Sequence, residues 1–344
     1  MDFCFGFSPL KRKRLEAFTR ARVTPIRAWS RQLPDGARVF VWGAGVLPAR
    51  FHARSPTVVR VEDGFLRSVG LGAAFAPPIS WTFDTQGLHH WGHSPTDLEA
   101  LLETRPFSDA QRAMGLRLIR ALRLHKLSKY NLPAGKAWSS LDRCQAHPGR
   151  KVLVIGQVAD DAALLGIRTP VRTNRDLLAQ VRARHPAAFI AYKRHPDVIA
   201  GLRQGADDDA GQWADAVMEG VSLQDALPWF DEVHVLNSLS GFEALVAGKP
   251  VVCHAQPFYA GWGLTEDLQP CPRRSRQLEL SELVYGALGL YPTYVHPDTG
   301  LAMDVFTAMD YLARLQMRPA AAMGRAGLQV GRLRGWLLRR RSAA

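Results

Sequence analysis

Short apolar runs alternate with amphipathic stretches through two successive halves of the chain. In the first half, runs rich in β-branched and aromatic residues predict strands, and helical spacing of apolar residues predicts helices. The expected strands cover 38–45, 57–64 and 79–84, and the expected helices cover 95–103 and about 109–127. The first helix starts with a capping pattern, and the second ends before SKYNLPAGK.

The second half restarts abruptly at residue 151 and repeats the alternation. Strands are expected at 151–158, 187–196, 232–238 and 250–255, and helices at 174–184, 281–291 and 303–315. This order predicts an α/β architecture of two Rossmann-like, doubly wound domains. We expect them to cover 1–145 and 150–320, with a basic tail at 321–344, and the candidate linker is the polar segment from SKYNLPAGK to Arg150.

The charge balance indicates polyanionic partners. The 344 residues carry 44 Lys and Arg against 31 Asp and Glu, a net charge of +13. Six of the arginines and no acid lie in 325–344, interleaved with leucines, a valine and a tryptophan. This predicts a tail that lies on the anionic inner face of the cytoplasmic membrane, although its glycines leave a disordered tail as an alternative. No nucleic-acid-binding motif is recognisable.

Neither a membrane span nor a secretion signal is indicated. No apolar run approaches the roughly 20 residues that a spanning helix needs, and the N-terminal pattern is not that of a signal peptide. We therefore expect a cytoplasmic protein. Its four cysteines have no spacing typical of a disulfide framework or a zinc site.

Polar residues cluster just after the apolar runs. Open α/β sheets bind ligands outside the carboxyl ends of their strands, so these residues are the candidate site. They are Glu62, Asp63, Gly64, Arg67 and Ser68; Gln157, Asp160 and Asp161; Lys193, His195 and Pro196; Ser238, Ser240 and Gly241; and the aromatic segment that contains Gln256, Tyr259 and Trp262.

The segment that begins at Ser238 predicts a strand, a turn and a phosphate-binding helix. Ser238, Ser240 and Gly241 would lie at the helix N-terminus, where backbone N–H groups and the helix dipole favour a phosphate. Glu243 would then lie in the first turn, within reach of a ribose. An ordinary serine N-cap explains Ser238 to Gly241 alone equally well. The aromatic and glycine-rich run 256–263 favours the binding site, because a plain solvent loop would not expose so much apolar surface.

His195 and Lys193 follow another predicted strand. Their imidazole and ammonium groups could converge on the same phosphate oxygens as the Ser238 helix. The alternative for His195 is a capping residue before a turn proline.

Two acidic motifs are candidates for catalysis. Asp160 and Asp161 end an apolar strand, a costly place for two charges, although one of them could cap the next helix. Glu62 and Asp63 end a β-branched run and precede Arg67, so one carboxylate could act as acid or base. A tight turn closed by an Asp–Arg pair is the alternative there. No metal is required, because a helix dipole and basic residues can neutralise a leaving phosphate.

Eight motifs in unbroken order, over residues 1 to roughly 315, resemble the bacterial capsular β-Kdo transferases of the KpsC type. They are EDGFLRSVGLG with PPISWTFDTQG, LSKYNL, VLVIGQVADDA, YKRHPDV, SLSGFEALVAGKPV, QPFYAGWGLTED and LYPTYVHPDTG. Members of that family usually carry two such modules in tandem, and this sequence has one. GQVADDA, YKRHPDV and CPRR resemble the C-terminal module more, which implies a β-(2→7) linkage.

The resemblance implies a two-domain GT-B glycosyltransferase that takes Kdo, an eight-carbon acidic sugar, from CMP-β-Kdo with retention. Asp161 is the pair member that matches the family's shared aspartate, which implies that it is the nucleophile. We assign Glu62 to acid/base work, with Asp63 or Arg67 orienting it. The expected donor site on the C-terminal domain comprises Gln157, Lys193, His195, Pro196, Ser238, Ser240, Gly241, Glu243, Gln256 and Tyr259.

The expected acceptor is a Kdo-terminated, lipid-linked glycan. It would face Gly64, Arg67, Ser68 and Trp262. Capsule assembly proteins are further candidate partners, and no cofactor is expected. Two other functions remain open: an inverting transferase for another CMP sugar such as sialic acid, and a non-catalytic sugar-nucleotide-binding component of a capsule assembly complex.

Overall fold

The computed structural model describes residues 1–27, 30, 32–71, 76–131, 137–159, 164, 169–203 and 209–317. The strands are Asp2–Phe5 (β1), Thr24–Pro25 (β2), Arg38–Trp42 (β3), Thr57–Asp63 (β4), Ser80–Asp84 (β5), Lys151–Ile155 (β6), Phe189–Lys193 (β7), Ala216–Met218 (β8), Glu232–Val235 (β9), Val251–Cys253 (β10), Glu266–Asp267 (β11), Pro292–Val295 (β12) and Ala302–Met303 (β13).

The helices alternate with the strands. They are Pro9–Thr19 (α1), Asp97–Thr104 (α2), Asp109–Leu124 (α3), Leu141–Ala146 (α4), Asn174–Arg184 (α5), Pro196–Ile199 (α6), Leu223–Ala226 (α7), Leu239–Val246 (α8), Leu280–Val284 (α9) and Val305–Gln316 (α10). The α/β class predicted from the alternation is confirmed. The sequence analysis assigned no element to β1, α1 or β2.

The first sheet has the order β13-β12-β5-β4-β3-β1-β2. Its β1, β2, β3 and β4 pair in parallel, whereas β5, β12 and β13 add antiparallel strands. The predicted α/β layers therefore include antiparallel strands in this sheet. β5 pairs with β4 in the antiparallel direction, and the described part of the connection between them contains no helix.

The second sheet has the order β11-β10-β9-β6-β7-β8, and all of its pairs are parallel. Its central strands are almost fully buried on both faces, as in KVLVI of β6 and FIAYK of β7. α5 connects β6 to β7, and α8 connects β9 to β10. This is the doubly wound arrangement expected from the second half of the sequence.

The two sheets with their helices form two lobes, and the chain crosses between them twice. The first lobe takes β1–β5 and then β12 and β13, whereas β6–β11 form the sheet of the second lobe. The expected C-terminal domain, 150–320, therefore does not coincide with the second lobe, because its last two strands, β12 and β13, belong to the sheet of the first lobe. The reason is that β12 pairs with β5 through Pro292, Thr293 and Tyr294 and so extends the first sheet.

The lobes share a continuous apolar core. A single cluster of buried side chains runs from Leu98 and Leu118 of the first lobe through Leu283 to Phe242 and Val233 of the second. Because that core is continuous, the relative position of the two lobes is fixed by close packing as well as by the chain connection.

One close approach holds α3 against α9. A Cβ atom on Gly115 of α3 would lie 2.0 Å from the Ser281 carbonyl oxygen. Since backbone on the facing side cannot rotate away as a flexible side chain would, only glycine allows the two helices to touch at this point.

We predict that Gly115→Ala destabilises the protein by roughly 1–3 kcal/mol, because the added methyl group must push α3 and α9 apart. Urea unfolding followed by circular dichroism measures this loss. Gly211→Ala is the matched control, because no described atom lies within 4 Å of its added Cβ, and its stability should change by less than about 1 kcal/mol. Equal stability of the two variants would contradict the close approach.

Candidate functional site

The carboxyl ends of the second sheet's strands meet at one edge, where the direction of winding reverses. The chain leaves β6 toward β7 on one side and β9 toward β10 on the other, and β6 and β9 are neighbours. The crevice outside such a switch point is where open α/β sheets bind ligands. Gln157 follows β6 and Asn237 follows β9 at this point.

Gln157 holds the switch point together. It is buried, and its side-chain oxygen accepts a hydrogen bond from the Asn237 backbone N–H at 2.8 Å. Its own N–H donates to Asn174 Oδ1 at 2.9 Å, and Asn174 Nδ2 donates to the Gln157 carbonyl at 2.8 Å. This side-chain oxygen positions β6, β9 and α5 relative to one another. The expected contact of Gln157 with the donor stays a prediction.

α8 begins at the switch point, as predicted for a phosphate-binding helix. Ser238 is its N-cap: Oγ accepts from the Ser240 N–H at 3.2 Å, and the Ser238 carbonyl accepts from the Gly241 N–H at 3.1 Å. A Cβ on Gly241 would lie 2.1 Å from the Tyr259 hydroxyl oxygen, so glycine is required there. The positive end of the helix dipole lies at the carboxyl edge of the sheet.

Tyr259 and Trp262 are fully buried. The Tyr259 hydroxyl donates to the Ser238 carbonyl and so packs against the start of α8. Trp262 Nε1 donates to the Phe258 carbonyl at 2.8 Å. The expected contacts of Tyr259 with the donor and of Trp262 with the acceptor stay predictions.

The loop between β5 and α2 reaches across to the same edge. Asn237 Nδ2 donates to the His90 carbonyl at 2.6 Å, and a Cβ on Gly92 would lie 2.3 Å from the Gln256 carbonyl oxygen. The Gln256 side chain itself donates to the Pro270 carbonyl. The sequence analysis missed this loop, whose HHWGH run carries no strand-end signal.

His195 caps α6. Its Nδ1 accepts from the Asp197 N–H at 3.1 Å, and Pro196 is the first residue of the helix. The capping role that was the alternative for His195 is therefore present. With Nδ1 as the acceptor, a neutral imidazole carries its proton on Nε2, so a phosphate oxygen could accept from that atom.

Lys193 and Glu243 are half-buried groups of opposite charge in the second lobe. Burial lowers the pKa of Lys193 to about 8, against the opposing influence of Glu243, and its Nζ donates to the Val221 carbonyl at 2.6 Å. Burial raises the pKa of Glu243 to about 7, although a hydrogen bond from the Lys129 N–H and the charges of Lys129 and Lys193 oppose the rise. Glu243 Oε1 accepts from that N–H at 2.9 Å.

Residues 128–131, here called the interlobe strap, join the two lobes at the crevice. The Lys129 carbonyl accepts from the backbone N–H groups of Arg67 and Ser68 at 3.1 and 3.2 Å. Asn131 Nδ2 donates to the Ser68 carbonyl at 3.0 Å. With its N–H bound to Glu243, Lys129 therefore bridges the first lobe and α8. The sequence analysis treated this segment as the start of a linker.

Tyr130 of the strap lies in the electrostatic field of both lobes. Burial raises the pKa of its phenol. The nearby charges of Asp63 in the first lobe and Asp197 in the second add to the rise, whereas Lys129 and Arg67 oppose it. Tyr130 therefore lies within the electrostatic reach of acidic groups from both lobes.

Asp63 and Arg67 form an ion pair within the first lobe. Arg67 Nε donates to Asp63 Oδ2 at 2.6 Å, and Trp81 Nε1 donates to Asp63 Oδ1 at 3.2 Å. Arg67 Nη1 also donates to Ser68 Oγ at 2.9 Å, and Arg67 and Ser68 are both buried. The turn closed by an Asp–Arg pair is thus the geometry observed. The expected acceptor contacts of Arg67 and Ser68 stay predictions.

Gly64 permits the close approach of the turn to β5. A Cβ there would lie 2.3 Å from Ser80 Oγ, and the Gly64 N–H donates to the Ser80 carbonyl at 3.0 Å. Gly64 is buried and is therefore needed for packing, and its expected acceptor contact stays a prediction.

Glu62 has the electrostatic properties of an acid/base group. Burial, followed by repulsion from Asp63, raises its pKa to about 7, whereas the Asp63 N–H and the charges of Lys129 and Lys11 oppose the rise. The Asp63 N–H donates to Glu62 Oε1 at 2.8 Å. Lys129 acts on both Glu62 and Glu243, so the two half-buried carboxyl groups lie within the electrostatic reach of the same strap residue.

Two predicted parts of the site lie outside the described residues: Asp160 with Asp161, and the basic tail at 321–344. Among the residues that the structure describes, the crevice contains no group of three metal-ligating side chains. None of the described helices has the length and apolar composition needed to cross a bilayer.

The fold matches solved β-Kdo transferase structures. The β-Kdo 2,7 transferase of Thermosulfurimonas dismutans KpsC is similar with a TM-score of 0.73 and 32% identity, over 92% of this chain and 100% of that one. The β-Kdo 2,4 transferase of the same protein has a TM-score of 0.80 and 32% identity, over 91% and 98%. These matches confirm the predicted GT-B type of two Rossmann-like lobes.

Sequence relatives identify the family. Residues 48–295 match the profile of the family described as capsule polysaccharide biosynthesis protein. The capsule polysaccharide modification protein LipA of Neisseria meningitidis serogroup A is 42% identical over 288 residues, and the lipopolysaccharide-processing protein LpsZ of Rhizobium meliloti is 35% identical over 328 residues. The chain belongs to the capsule polysaccharide biosynthesis family.

The matched lengths differ between these relatives. The LipA match covers 82% of this chain and 40% of LipA, and the LpsZ match covers 90% of this chain and 73% of LpsZ.

We predict that Glu243→Gln raises stability at pH 8 but not at pH 5. The carboxyl pKa rises from its usual 4.5 to about 7 in the folded protein. Between these two pKa values the Glu243 carboxyl group is ionised in the unfolded chain but protonated in the folded protein. The wild type therefore loses stability as the pH rises through this range, and it does not regain that stability above pH 7. Glutamine keeps an acceptor for the Lys129 N–H without the charge, so the gain at pH 8 should be roughly 1–3 kcal/mol.

Urea unfolding at both pH values measures this gain, with Asp35→Asn as the control because the Asp35 side chain is 81% exposed. An equal loss of stability in Glu243→Gln at pH 5 and pH 8 would show that the carboxyl group is held in its charged form.

Proposed function

We propose that this protein is a glycosyltransferase that transfers Kdo from CMP-β-Kdo to a growing capsular glycan with retention of configuration. The observation that carries this proposal is the crevice itself. The N-terminus of α8 lies at a switch point of the second sheet, and Lys129 of the interlobe strap connects Glu243 of α8 to the acidic turn of the first lobe. The similarity to two β-Kdo transferases supports the assignment.

The donor is expected to bind on the second lobe. Its phosphate would lie at the positive end of α8, near Ser240 and Gly241, with His195 and Lys193 as the neighbouring nitrogen groups. Glu243 Oε1 already accepts from Lys129, so Oε2 is the oxygen that we assign to a ribose hydroxyl. The Lys193 ammonium group would neutralise the charge of the leaving phosphate, which is a role that a metal ion fills in other transferases. We therefore propose that transfer proceeds without a metal ion.

The chemistry we propose is a double displacement. The carboxylate of Asp161 attacks the anomeric carbon of Kdo as the bond to the phosphate oxygen of CMP breaks, and CMP leaves with the bonding electrons. The acceptor hydroxyl then attacks the same carbon, releases Asp161 and gives its proton to a base. Two inversions amount to net retention. The assignment of Asp161 over Asp160 depends on the family resemblance.

Glu62 is our candidate for the base. A carboxyl group with a pKa raised to about 7 is divided between its two protonation states near neutral pH, which suits a group that takes up and releases a proton. Asp63 contributes to this state by charge repulsion, and its ion pair with Arg67 keeps it in place.

The acceptor we propose is a Kdo-terminated glycolipid that approaches from the first lobe. Lys11 and Arg14 lie near this turn, since Lys11 acts on Glu62 and Arg14 on Asp63 and Arg67. Two cations there suit the carboxylate of an acidic sugar. The β-(2→7) linkage remains a proposal from sequence, because the 2,7 and 2,4 transferases are both 32% identical to this chain.

We predict that Asp161→Ala lowers Kdo transfer on the order of 10⁴-fold or more, because the covalent step is lost. The CMP affinity should stay close to that of the wild type. The assay is incubation with CMP-Kdo and a short Kdo acceptor, with NMR of the anomeric linkage and intact-mass detection of a Kdo adduct. Asp160→Ala and the exposed Asp35→Ala are the controls, and both should retain transfer.

Normal turnover by Asp161→Ala would remove the nucleophile assignment. An inverted product from the wild type would instead favour an inverting CMP-sugar transferase. Absence of any donor turnover would favour a binding component of a capsule assembly complex.

We also propose that the basic tail holds the protein on the inner face of the cytoplasmic membrane, where a lipid-linked acceptor would be available. Deletion of 325–344 removes six arginines and no acid. The deleted chain should sediment less with phosphatidylserine-containing vesicles, and the difference should shrink at high salt. Unchanged sedimentation would contradict this role.

A further inference from the structure

A buried cluster of His185, Glu232 and His234 lies away from the crevice. His185 is the C-cap of α5, and Glu232 and His234 are on one face of β9. Nε2 of His185 lies 3.0 Å from Glu232 Oε1, and Nε2 of His234 lies 3.3 Å from the same oxygen. Because Glu232 starts β9, the cluster is toward the amino edge of the sheet, opposite the edge that carries α8.

The three converging atoms are buried. The side chains of His185, Glu232 and His234 are 12%, 6% and 0% exposed. Within the described part of the chain, none of the three atoms makes a hydrogen bond of acceptable geometry. Leaving a buried polar atom unsatisfied costs about 1–3 kcal/mol. Three such atoms around one point indicate that something at that point satisfies them.

Hydrogen bonds behind His234 orient its ring. His254 Nδ1 lies 2.5 Å from Gln180 Oε1, which can only accept, so His254 donates through Nδ1. His254 Nε2 then accepts from His234 Nδ1 at 2.9 Å if the fully buried His254 is neutral. With its proton on Nδ1, His234 directs a lone pair from Nε2 toward the carboxylate oxygen. Two lone pairs at this distance require a positive charge between them.

We infer that His185 Nε2, Glu232 Oε1 and His234 Nε2 bind a divalent transition-metal ion of the zinc class. Two imidazoles and a carboxylate are a common ligand set for zinc, with a fourth position left for water. Zinc–ligand bonds of about 2.0–2.2 Å in a tetrahedron place the ligand atoms roughly 3.3 Å apart. The separations of 3.0 and 3.3 Å fit that geometry.

The surrounding residues are arranged as outer-shell partners. Arg150 Nη2 lies 3.1 Å from Glu232 Oε2, which leaves Oε1 as the inward-facing oxygen. Metal-bound histidines almost always donate their second ring N–H to an acceptor, as His234 does to His254. The spacing of Cys and His residues in the sequence does not indicate this site, because its ligands come from the end of a helix and from alternate positions of a strand far along the chain.

The ion would act as a structural clamp between α5 and β9. α5 starts at Asn174, which holds Gln157 at the switch point, and it ends at His185 in the cluster. An ion at its last turn would therefore fix the helix that supports the crevice edge. This role does not depend on the proposed transfer reaction.

The test uses the tag-free full-length chain, stripped with a chelator and then loaded with zinc. We expect about one zinc per chain after gel filtration, measured by inductively coupled plasma mass spectrometry. Loading should raise the melting temperature by at least roughly 5 °C. Cobalt(II) should give the visible absorption of a tetrahedral site, and added zinc should abolish it. Magnesium should have no such effect.

His185→Gln and Glu232→Gln should lower zinc affinity at least tenfold and abolish the melting shift. The exposed His125→Gln, which lies outside the cluster, is the matched control and should bind as the wild type does. Failure of the wild type to retain zinc or to give the cobalt spectrum would overturn the inference. The positive charge between the histidine nitrogens and Glu232 Oε1 would then be a proton. Equal zinc retention by His185→Gln would overturn it too, because the ion would then be bound elsewhere.

Discussion

The hydrogen bond from the Lys129 N–H to Glu243 Oε1 is the interaction on which the site depends. It joins the interlobe strap to α8, while the carbonyl of the same residue accepts from the turn after β4. One peptide segment thus sets the distance between the predicted donor side and the predicted acceptor side. The apolar core shared by the lobes gives this segment a rigid frame, because α3, which leads into the strap, packs between them.

The same arrangement explains why two carboxyl groups have pKa values near 7. Glu62 and Glu243 are half-buried, and burial is the main cause of both pKa shifts. Lys129 limits the rise for each, so neither group becomes a permanently neutral acid. Their different partners separate their roles: Glu243 is tied to the strap, whereas Glu62 accepts only from its neighbour Asp63 in the hydrogen bonds described. A crevice that balances burial against nearby cations is suited to phosphate departure and proton transfer in the same place.

Much of the fold could be predicted from sequence, because β-branched runs and helical spacing report directly on burial. β3, β4, β6, β7 and β9 and the helices α3, α5 and α8 lie where that pattern indicated. Ser238 at the start of α8 was also predictable, since an N-cap serine is a local signal. The strap was not, because the role of Lys129 comes from backbone groups that meet residues far away in the chain. The complete burial of Tyr259 and Trp262 could not be predicted for a related reason: an aromatic, glycine-rich run has the same sequence pattern whether it lines a crevice or packs in the core.

A crystal structure with CMP tests the central claim most directly, namely that the crevice at the α8 N-terminus and the interlobe strap is a nucleotide site. The account predicts the phosphate within hydrogen-bonding distance of backbone N–H groups in the first turn of α8 and of His195 Nε2, with a ribose hydroxyl on Glu243 Oε2. CMP bound at another surface, with the Lys129–Glu243 hydrogen bond and the crevice unchanged and empty, would contradict it.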